Sequence, residues 1–251
     1  MKNNKVSVII PCYNHGNYIQ ETVDSILAST YKNIEIVIVN DGSTDEYTNQ
    51  LLDELPTKFP QIKVIKTANQ GTAGACKVAV ENSTGDFILP IGSDDKIHPD
   101  YIKEAVSILS NYKEIGIVYC NAEYFDAKTG PWELPEFSIS QMQQGNCIFC
   151  ASLYRKSDYD KTEGYHADMR NWEDYDLWLS LLELGLDVYK LPEVYFYYRI
   201  TGVSKTDEVR KNESRITHLM EQIKKHHPNF FKEKPIKPVS APQPKRKEVY
   251  F

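Results

Sequence analysis

Two adjacent carboxylates, Asp94 and Asp95, follow directly on an apolar run of the sequence. They belong to the stretch "FILPIGSDDKIHPDYI", residues 87–102, which changes abruptly from strand-like residues to Gly-Ser-Asp-Asp. Neighbouring carboxylates repel each other, so both stay ionised only where water or a cation offsets their charge. Carboxylates that hold a cation together with substrate phosphates are typical of Mg²⁺ and Mn²⁺ sites. This stretch therefore predicts a divalent-cation site.

Polar side chains also follow two other strand-like runs. The segment "PCYN" (11–14) comes after the first run and "NDGSTD" (40–45) after the second. In an open α/β sheet, ligands bind at the carboxyl ends of the strands, so these groups would share one edge with the acidic pair. Each segment alone also fits a turn or a helix N-cap, and "SDD" fits a loop before a helix that Pro99 opens. Their occurrence at three strand ends favours a binding site.

The first 120 residues alternate between strand-like and helix-like spacing. Apolar residues recur with helical periodicity in four stretches, at 19–27, 51–55, 75–82 and 99–109. Short apolar runs that predict strands flank these stretches, at 6–11, 34–39, 62–66, 86–91 and 116–120. Strands that alternate with helices predict a mainly parallel sheet with helices on both faces.

The second half of the chain is less regular. The segment "NAEYFDAKTGPWEL" predicts strand and turn, and "NCIFCASLYRK" (146–156) predicts a strand. Residues 187–200 contain two further strand-like pieces. Helical spacing predicts a helix over 173–185, which ends at a glycine, and a final helix from about 207 to 227.

The domain organisation follows from these patterns. From Pro228 the composition turns to Pro and Lys without apolar periodicity, so residues 229–251 are predicted to be a disordered tail. We expect a single domain over 1–228, with a first half over 5–120 and a second half over 121–228.

Composition and charge exclude several classes of protein. The 251 residues carry a formal net charge of −6, which argues against nucleic-acid binding because that function needs a basic surface. No run approaches the roughly 18 apolar residues of a membrane helix, and Pro11 interrupts the first apolar run before it reaches signal-peptide length. Five cysteines, an odd number, fit a reducing compartment. We therefore expect a cytoplasmic protein.

Cys147 and Cys150 form the single Cys-x-x-Cys pair of the sequence. A zinc site would need a second pair or histidines at ligand spacing, and neither accompanies them. We interpret both as buried free thiols on a strand.

The polar edge of the sheet suits a mononucleotide. Neither G-x-x-x-x-G-K-[ST] nor G-x-G-x-x-G follows a strand, so P-loop and dinucleotide-binding hypotheses have no support. An aspartate can accept the imide N–H of a uracil, and a tyrosine ring can stack on the base. The cation opposite Asp94 and Asp95 would then carry a nucleotide diphosphate.

The order and spacing of these motifs resemble those of a known family. The stretch "VSVIIPCYNHGNYIQETVDSILASTYKNIEIVIVNDGSTD" resembles the opening of a family 2 glycosyltransferase of the GT-A fold, and the resemblance runs from about Val6 to Ser204. It implies a Rossmann-like, mainly parallel central sheet flanked by helices. It also implies that the first half binds a nucleotide sugar and that a smaller, mixed second half binds the acceptor.

The resemblance implies roles for individual residues. Asp94 matches the last aspartate of the family's D-x-D motif, which coordinates the metal, and Asp95 beside it is the second predicted ligand. In "WEDYDLW", Asp174 occupies the place of the catalytic base, with Trp172 and Glu173 on the acceptor side. The predicted donor-binding residues are Pro11, Tyr13, Asn14, Asp41, Asn69, Gly71, Lys77, Ser93 and Asp94.

Four departures from the family pattern are expected to matter. Gly92 stands where the first aspartate of D-x-D is usual, and Thr201 where a histidine is frequent, so weaker metal binding is expected. Asn40 replaces an acid before the aspartate of the base edge. Cys76 and Lys77 replace a common Arg-Asn pair, which leaves Lys77 as the phosphate contact.

The resemblance implies an inverting glycosyltransferase that moves a sugar from a nucleotide-diphosphate sugar to an acceptor hydroxyl in one displacement. The tyrosine and aspartate pattern favours UDP. Asp174 would accept the acceptor's proton, while Asp94 with Mn²⁺ or Mg²⁺ would stabilise the departing diphosphate. The expected acceptor is a carbohydrate or a lipid-linked saccharide in cell-surface polysaccharide or glycolipid synthesis.

Two alternatives and one accessory hypothesis accompany this reading. A nucleotidyltransferase is disfavoured because "PCYNHGN" stands where its Gly-rich triphosphate loop would follow the first strand. Gly92 and Thr201 motivate the other alternative, a non-catalytic nucleotide-sugar-binding or scaffolding protein of the same fold. The tail over 232–251 carries six basic residues against two acidic ones, so it would suit peripheral contact with an anionic inner membrane face.

Overall fold

One mixed sheet forms the centre of the molecule, which we describe from a computed structural model covering residues 4–201 and 212–232. Its strands are β1 (Val6–Cys12), β2 (Ile34–Asp41), β3 (Ile62–Thr67), β4 (Phe87–Pro90), β5 (Lys96–Ile97), β6 (Ile115–Asp126), β7 (Gly130–Trp132), β8 (Leu153–Arg155) and β9 (Asp187–Ile200). The sheet order is β3-β2-β1-β4-β8-β6-β9-β5, with β7 paired to β6.

Helices cover this sheet. Within the described ranges they are α1 (Gly16–Leu27), α2 (Glu46–Lys58), α3 (Gly71–Glu81), α4 (Tyr101–Asn111), α5 (Ile139–Met142), α6 (Lys156–Tyr159), α7 (Glu173–Leu182) and α8 (Glu213–His226). No helix in this part of the chain has both the length and the apolar character needed to cross a membrane.

The first half of the sheet is parallel. Strand β1 pairs in parallel with β2 on one side and β4 on the other, and β2 pairs in parallel with β3. Val8, Ile9 and Ile10 of β1 are fully buried because layers of the fold cover both faces of this strand. The carboxyl ends of β2, β1 and β4 therefore open side by side, and the loops that follow them meet at one edge.

The second half adds antiparallel and parallel pairs to the same sheet. Strand β8 pairs antiparallel with β4 and β6, and β6 pairs in parallel with β9. The short strand β5, which starts directly after Asp95, pairs antiparallel with β9. The loop that carries Asp94 and Asp95 is thereby tied to the far half of the sheet.

The predicted strands and helices of the first 120 residues are confirmed, with shifts of a few residues at their ends. The two strand-like pieces over 187–200 form one strand, β9. Its pairing with β6 is irregular near Pro192, since the register shifts between Tyr119 and Ala122.

The predicted strand over 146–156 is wrong for most of its length, because only β8 (Leu153–Arg155) pairs with the sheet. The side chains of Asn146 and Ser152 close turns in the preceding loop by hydrogen bonds to the backbone. This loop is apolar because it is buried in the core, with Cys147 fully buried as a free thiol. An apolar run alone does not distinguish a strand from a buried loop.

The final predicted helix is present as α8, and the part of that prediction before residue 212 lies outside the described residues. Residues 229–232 form turns, and Phe230 is buried against the domain. The rest of the predicted tail, 233–251, also lies outside the described residues.

Arg155 connects strand β8 to the end of α4 and the start of β6. Its Nη1 donates to the carbonyl oxygen of Ile115 at 2.6 Å, and its Nη2 donates to the carbonyl oxygens of Leu109 at 2.7 Å and Tyr112 at 2.8 Å. Its Nη1 also pairs with Asp158 at 3.1 Å. One guanidinium thus satisfies the end of α4 and the start of β6 from strand β8.

We predict that Arg155→Met lowers the free energy of unfolding by about 2–4 kcal/mol, because three carbonyl oxygens lose this donor and Asp158 keeps only its pair with Lys161. Urea unfolding measures this change. The control is Lys156→Met, whose pair with the exposed Asp160 should contribute less than about 1 kcal/mol. Equal stabilities of the two variants would contradict this role of Arg155.

Candidate functional site

A cavity of about 500 Å³ opens at the carboxyl edge of the parallel strands. Loops after β1, β2 and β4 line it together with the start of α3, as the positions of the polar segments predicted. Its size is that of a pocket for a small molecule. The lining residues are Pro11, Cys12, Tyr13, His15, Asp41, Asn69, Gly71, Thr72, Gly92, Ser93 and Asp94.

Asp41 fixes the start of α3 against the end of β2. Its carboxylate accepts the backbone N–H of Gln70 at 2.8 Å and of Gly71 at 2.9 Å. These N–H groups are among those that a helix leaves unpaired at its N-terminus, and the carboxylate also favours the positive end of the helix dipole. Gly71 has φ of +80°, a conformation that a residue with a side chain rarely adopts.

Asn14 holds two of the loops together. Its Oδ1 accepts the backbone N–H of Thr44 at 2.8 Å and of Asp45 at 3.0 Å, and its own backbone N–H donates to Ser43. Its φ of 55° is a left-handed conformation that asparagine tolerates better than most residues. Asn14 therefore positions its neighbour Tyr13, whose ring is 39% exposed at the cavity.

A second bridge connects the loops after β1 and β4. The Nδ1 of His15 lies 2.8 Å from the hydroxyl oxygen of Ser93. Both residues line the cavity, and Ser93 is buried. The wall that carries Asp94 is thus hydrogen-bonded to the wall that carries Tyr13.

Asp94 and Asp95 differ in burial and in hydrogen-bond partners. Asp94 lies on the cavity wall, and its carboxylate accepts no hydrogen bond and forms no ion pair within residues 4–201 and 212–232. Asp95 is buried, and its Oδ1 accepts the backbone N–H of Arg199 at 3.0 Å. Burial and the charge of Asp94 raise the pKa of Asp95 well above its usual range. The free carboxylate of Asp94 fits a divalent cation at this wall.

Arg199 supports the acidic loop from strand β9. Its Nε donates to the carbonyl oxygen of Asp94 at 2.7 Å, its Nη1 pairs with Asp126 at 2.8 Å, and its Nη2 pairs with Glu21. The guanidinium also lies 4.3 Å from the ring centroid of Phe125. It is nearly buried, so these partners together offset the loss of hydration of its charge.

Gly92 leaves no space for a side chain in its present surroundings. A Cβ atom at this position would lie 2.6 Å from Oδ2 of Asp95 and 3.0 Å from Oδ1 of Asp94. Gly92, which stands where the first aspartate of D-x-D is usual, thus leaves room for the buried carboxylate of Asp95.

The start of α7 carries the predicted catalytic base. Trp172, the residue before the helix, has φ of 61°, which is uncommon for a large side chain and marks a constrained helix start. Asp174 is half-buried, and its Oδ2 accepts a hydrogen bond from Nδ2 of Asn146 at 3.1 Å. Burial raises the pKa of Asp174 to about 6, although hydrogen bonds from the backbone and from Asn146 favour its ionised form.

Arg170 joins this helix start to the edge of the cavity. Its Nη1 donates to the carbonyl oxygen of Gln70 at 3.0 Å and lies directly over Gly71. Behind them, burial and the charges of Glu173 and Asp174 raise the pKa of the Cys76 thiol. Asp174 thus lies on the side of the cavity formed by α3.

The structure brings together seven of the predicted donor-binding residues on the cavity wall, namely Pro11, Tyr13, Asp41, Asn69, Gly71, Ser93 and Asp94. Asn14 is exposed and does not line the cavity. Lys77 is exposed on α3, six residues after Gly71 and hence about 9 Å further along the helix, away from the cavity. Asp95, Trp172, Glu173 and Asp174 do not line the cavity itself.

Five further residues of this region were not singled out from the sequence: Cys12, His15, Thr72, Arg170 and Arg199. His15 follows the "PCYN" segment directly, so its position after a strand could have indicated it. The arginine within the aromatic strand "VYFYYRI" was a signal as well, because a charge in such a strand needs buried partners.

Comparison with known proteins identifies the family. The family model "Glycosyl transferase family 2" matches residues 7–172. The chain therefore belongs to glycosyl transferase family 2, and the resemblance inferred from its motifs is confirmed.

Similar proteins agree with this assignment. The chondroitin synthase of Pasteurella multocida (strain Pm70) is 29% identical over 216 residues, which are 82% of this chain and 22% of that protein. The chain thus spans only about a fifth of the length of this relative.

Solved structures confirm the GT-A fold. S. aureus TarS 1–349 in complex with UDP-GlcNAc aligns with a TM-score of 0.74 at 21% identity, over 88% of this chain and 66% of that one. The mannosyltransferase PcManGT from Pyrobaculum calidifontis in complex with GDP-Man and Mn²⁺ aligns with a TM-score of 0.62 at 16% identity, over 90% and 71%. At these identities the likeness shows the fold alone.

We predict that Gly92→Ala lowers the free energy of unfolding by about 1–3 kcal/mol, because the new methyl group must displace the buried Asp95. Urea unfolding measures the loss. Gly145→Ala is the matched control, since a Cβ there meets no atom within 4 Å and should change stability by less than about 0.5 kcal/mol. If both variants unfold at the same urea concentration, the packing argument for Gly92 is wrong.

Proposed function

We propose that this chain transfers a sugar from a nucleotide-diphosphate sugar to an acceptor hydroxyl. One observation carries the proposal: the free carboxylate of Asp94 and the Asp41-capped start of α3 face one cavity, and Arg170 joins the Asp174 helix to its edge. Such a transfer needs one acid that binds the cation, one that binds the nucleobase and a half-buried third acid that accepts the proton of the acceptor.

The nucleobase would bind between Tyr13 and Asp41. The exposed ring of Tyr13 offers a stacking surface. Asp41 accepts two backbone N–H groups and the hydroxyl of Thr67, and a carboxylate has about four acceptor positions, so it can still accept one imide N–H. This favours uracil, so we propose a UDP-sugar as donor; the TarS structure contains UDP-GlcNAc, whereas the PcManGT structure contains GDP-Man.

The diphosphate would lie between Asp94 and the start of α3. Asp94 would hold Mn²⁺ or Mg²⁺, which when bound stabilises the charge of the departing diphosphate as a Lewis acid. Asp95 is the second predicted ligand; its Oδ1 accepts the backbone N–H of Arg199, and its Oδ2 lies beside Gly92 of the cavity wall. Arg170 provides a cation at the cavity edge, where Lys77 was expected to act.

The acceptor would approach at the start of α7. Asp174 would accept the proton of the attacking hydroxyl, and Trp172 and Glu173 would contact the acceptor. A pKa near 6 suits a general base at neutral pH, because the group is ionised yet basic enough to take a proton. One displacement at the anomeric carbon with a single base inverts its configuration.

We propose that the acceptor is a carbohydrate or a lipid-linked saccharide and that the reaction serves cell-surface polysaccharide or glycolipid synthesis. The chondroitin synthase relative supports a saccharide acceptor. A cytoplasmic location and contact of the basic tail with the inner membrane face stay predictions, and most of that tail lies outside the described residues.

We predict that Asp174→Asn lowers the transfer rate by about 10²–10⁴-fold, since the amide cannot accept the hydroxyl proton. Release of nucleoside diphosphate is followed over a panel of UDP-sugars and saccharide acceptors, and donor affinity should stay unchanged. Asp53→Asn, on the exposed face of α2, is the control. Full activity of Asp174→Asn would remove its assignment as the base. A wild type that binds nucleotide but never releases diphosphate would instead support the non-catalytic alternative.

The pH profile tests the same residue in a second way. Because the pKa of Asp174 is raised to about 6, its carboxylate is available above that pH, and the rate should fall as the pH drops through 6. Asn146→Ala removes a hydrogen bond that favours the carboxylate, so the fall should move to higher pH. Asn111→Ala, an exposed substitution on α4, should leave the profile in place. An unchanged profile in Asn146→Ala would contradict this coupling.

A further inference from the structure

Three histidines surround one buried carboxylate on the acceptor side. Asp176, on the first turn of α7, is fully buried. Its Oδ2 lies 2.6 Å from Nδ1 of His166, and its Oδ1 lies 2.8 Å from Nδ1 of His226 and 3.2 Å from Nε2 of His227. This cluster joins the end of α8 to the loop before α7, and nothing in the proposed transfer uses it.

The opposite nitrogen of each imidazole is also held by a carboxylate. Nε2 of His166 lies 3.0 Å from Glu163, and Nε2 of His226 lies 3.2 Å from Asp168. Nδ1 of His227 lies 2.9 Å from Glu183. Histidines that bind metals almost always have their second nitrogen hydrogen-bonded in this way, which orients the ring and raises its basicity.

Carboxylates outnumber imidazoles in this cluster, and the most buried of them is Asp176. Four carboxylates (Asp176, Glu163, Asp168 and Glu183) meet three imidazoles, and within residues 4–201 and 212–232 none of the four forms an ion pair with lysine or arginine. The carboxyl end of α8, at His226, adds the negative end of a helix dipole. A buried carboxylate needs a compensating positive charge, which protons or a metal ion can supply.

We propose that His166, Asp176 and His226 form a binding site for a transition-metal dication, with Zn²⁺ as the ion that suits it best. One potential ligand atom from each residue lies within 4.8 Å of the others. Two imidazole nitrogens and a carboxylate oxygen are common zinc ligands, at about 2.0–2.2 Å from the metal. The ion would replace the protons between Asp176 and the Nδ1 atoms of His166 and His226. The nitrogen–oxygen separations would then widen to roughly 3.3 Å, the spacing between tetrahedral zinc ligands. His227 or water would complete the shell.

This site differs in chemistry from the cation site at Asp94. Carboxylate and phosphate oxygens select Mg²⁺ and Mn²⁺, whereas imidazoles suit zinc and its neighbours. Since Asp176 is two residues after Asp174, a bound ion would fix the first turn of α7 against the end of α8. The site is thus structural and stabilises the acceptor side.

Zinc binding to the full chain tests the proposal directly. Protein freed of metal by a chelator and dialysis is titrated with Zn²⁺ without nucleotide, and bound metal and melting temperature are measured. We expect one Zn²⁺ per chain and a higher melting temperature. Asp94→Asn should bind zinc like the wild type, which separates this site from the donor cation. A wild type that retains no zinc would overturn the proposal. Protons on the histidines would then supply the positive charge that the buried carboxylate of Asp176 needs.

Variants of the cluster identify its ligands. His166→Gln and His226→Gln should each lose stoichiometric zinc binding, whereas His218→Gln, on the exposed face of the same helix, should keep it. Asp168→Asn removes only the outer partner of His226 and should weaken zinc about 10–100-fold. Visible absorption of bound Co²⁺ reports the ligand set without relying on activity. Unchanged zinc affinity in His226→Gln would show that the metal binds elsewhere.

Discussion

The guanidinium of Arg199 holds the acidic loop in the position on which the site depends. It binds the backbone of Asp94 from strand β9, while its own backbone N–H binds the buried carboxylate of Asp95. Glu21 of α1 and Asp126 of β6 complete its shell, so three segments of the fold converge on the guanidinium that β9 carries. Because these groups satisfy one another, the side chain of Asp94 stays free to face the cavity.

The rest of the cavity follows from the parallel strands. Their carboxyl ends lie side by side, and each following loop is anchored by a polar side chain: Asn14 for the first, Asp41 for the second and Ser93 for the fourth. These anchors place the ring of Tyr13, the carboxylates of Asp41 and Asp94, and the N-terminus of α3 around the cavity. The half of the sheet built on β6 and β9 then places the start of α7 beside it.

Apolar runs that end in Gly, Asn and Asp predicted a polar edge of the sheet, and the family resemblance added the individual residues, of which seven line the cavity. The sequence could not show which way a side chain points, so Asn14, Lys77 and Asp95 were expected in the pocket. Spacing rules also missed the histidine cluster, since His166 and His226 lie 60 residues apart and meet only in the fold. The loop before β8 was predicted as a strand because it is apolar, but it is apolar because it is buried and not because it pairs in the sheet.

The proposed transfer depends on Asp94 holding a cation and a nucleotide in this cavity. A thermal-shift panel of UDP, GDP, dTDP and CDP, with and without Mn²⁺, tests it on wild type and Asp94→Asn. Ligand at a hundred times its Kd adds about 2.7 kcal/mol, which for a domain of this size raises the melting temperature by roughly 5–10 °C. We expect a Mn²⁺-dependent shift with UDP in the wild type and none in Asp94→Asn. No shift with any nucleotide, or an equal shift in Asp94→Asn, would contradict it.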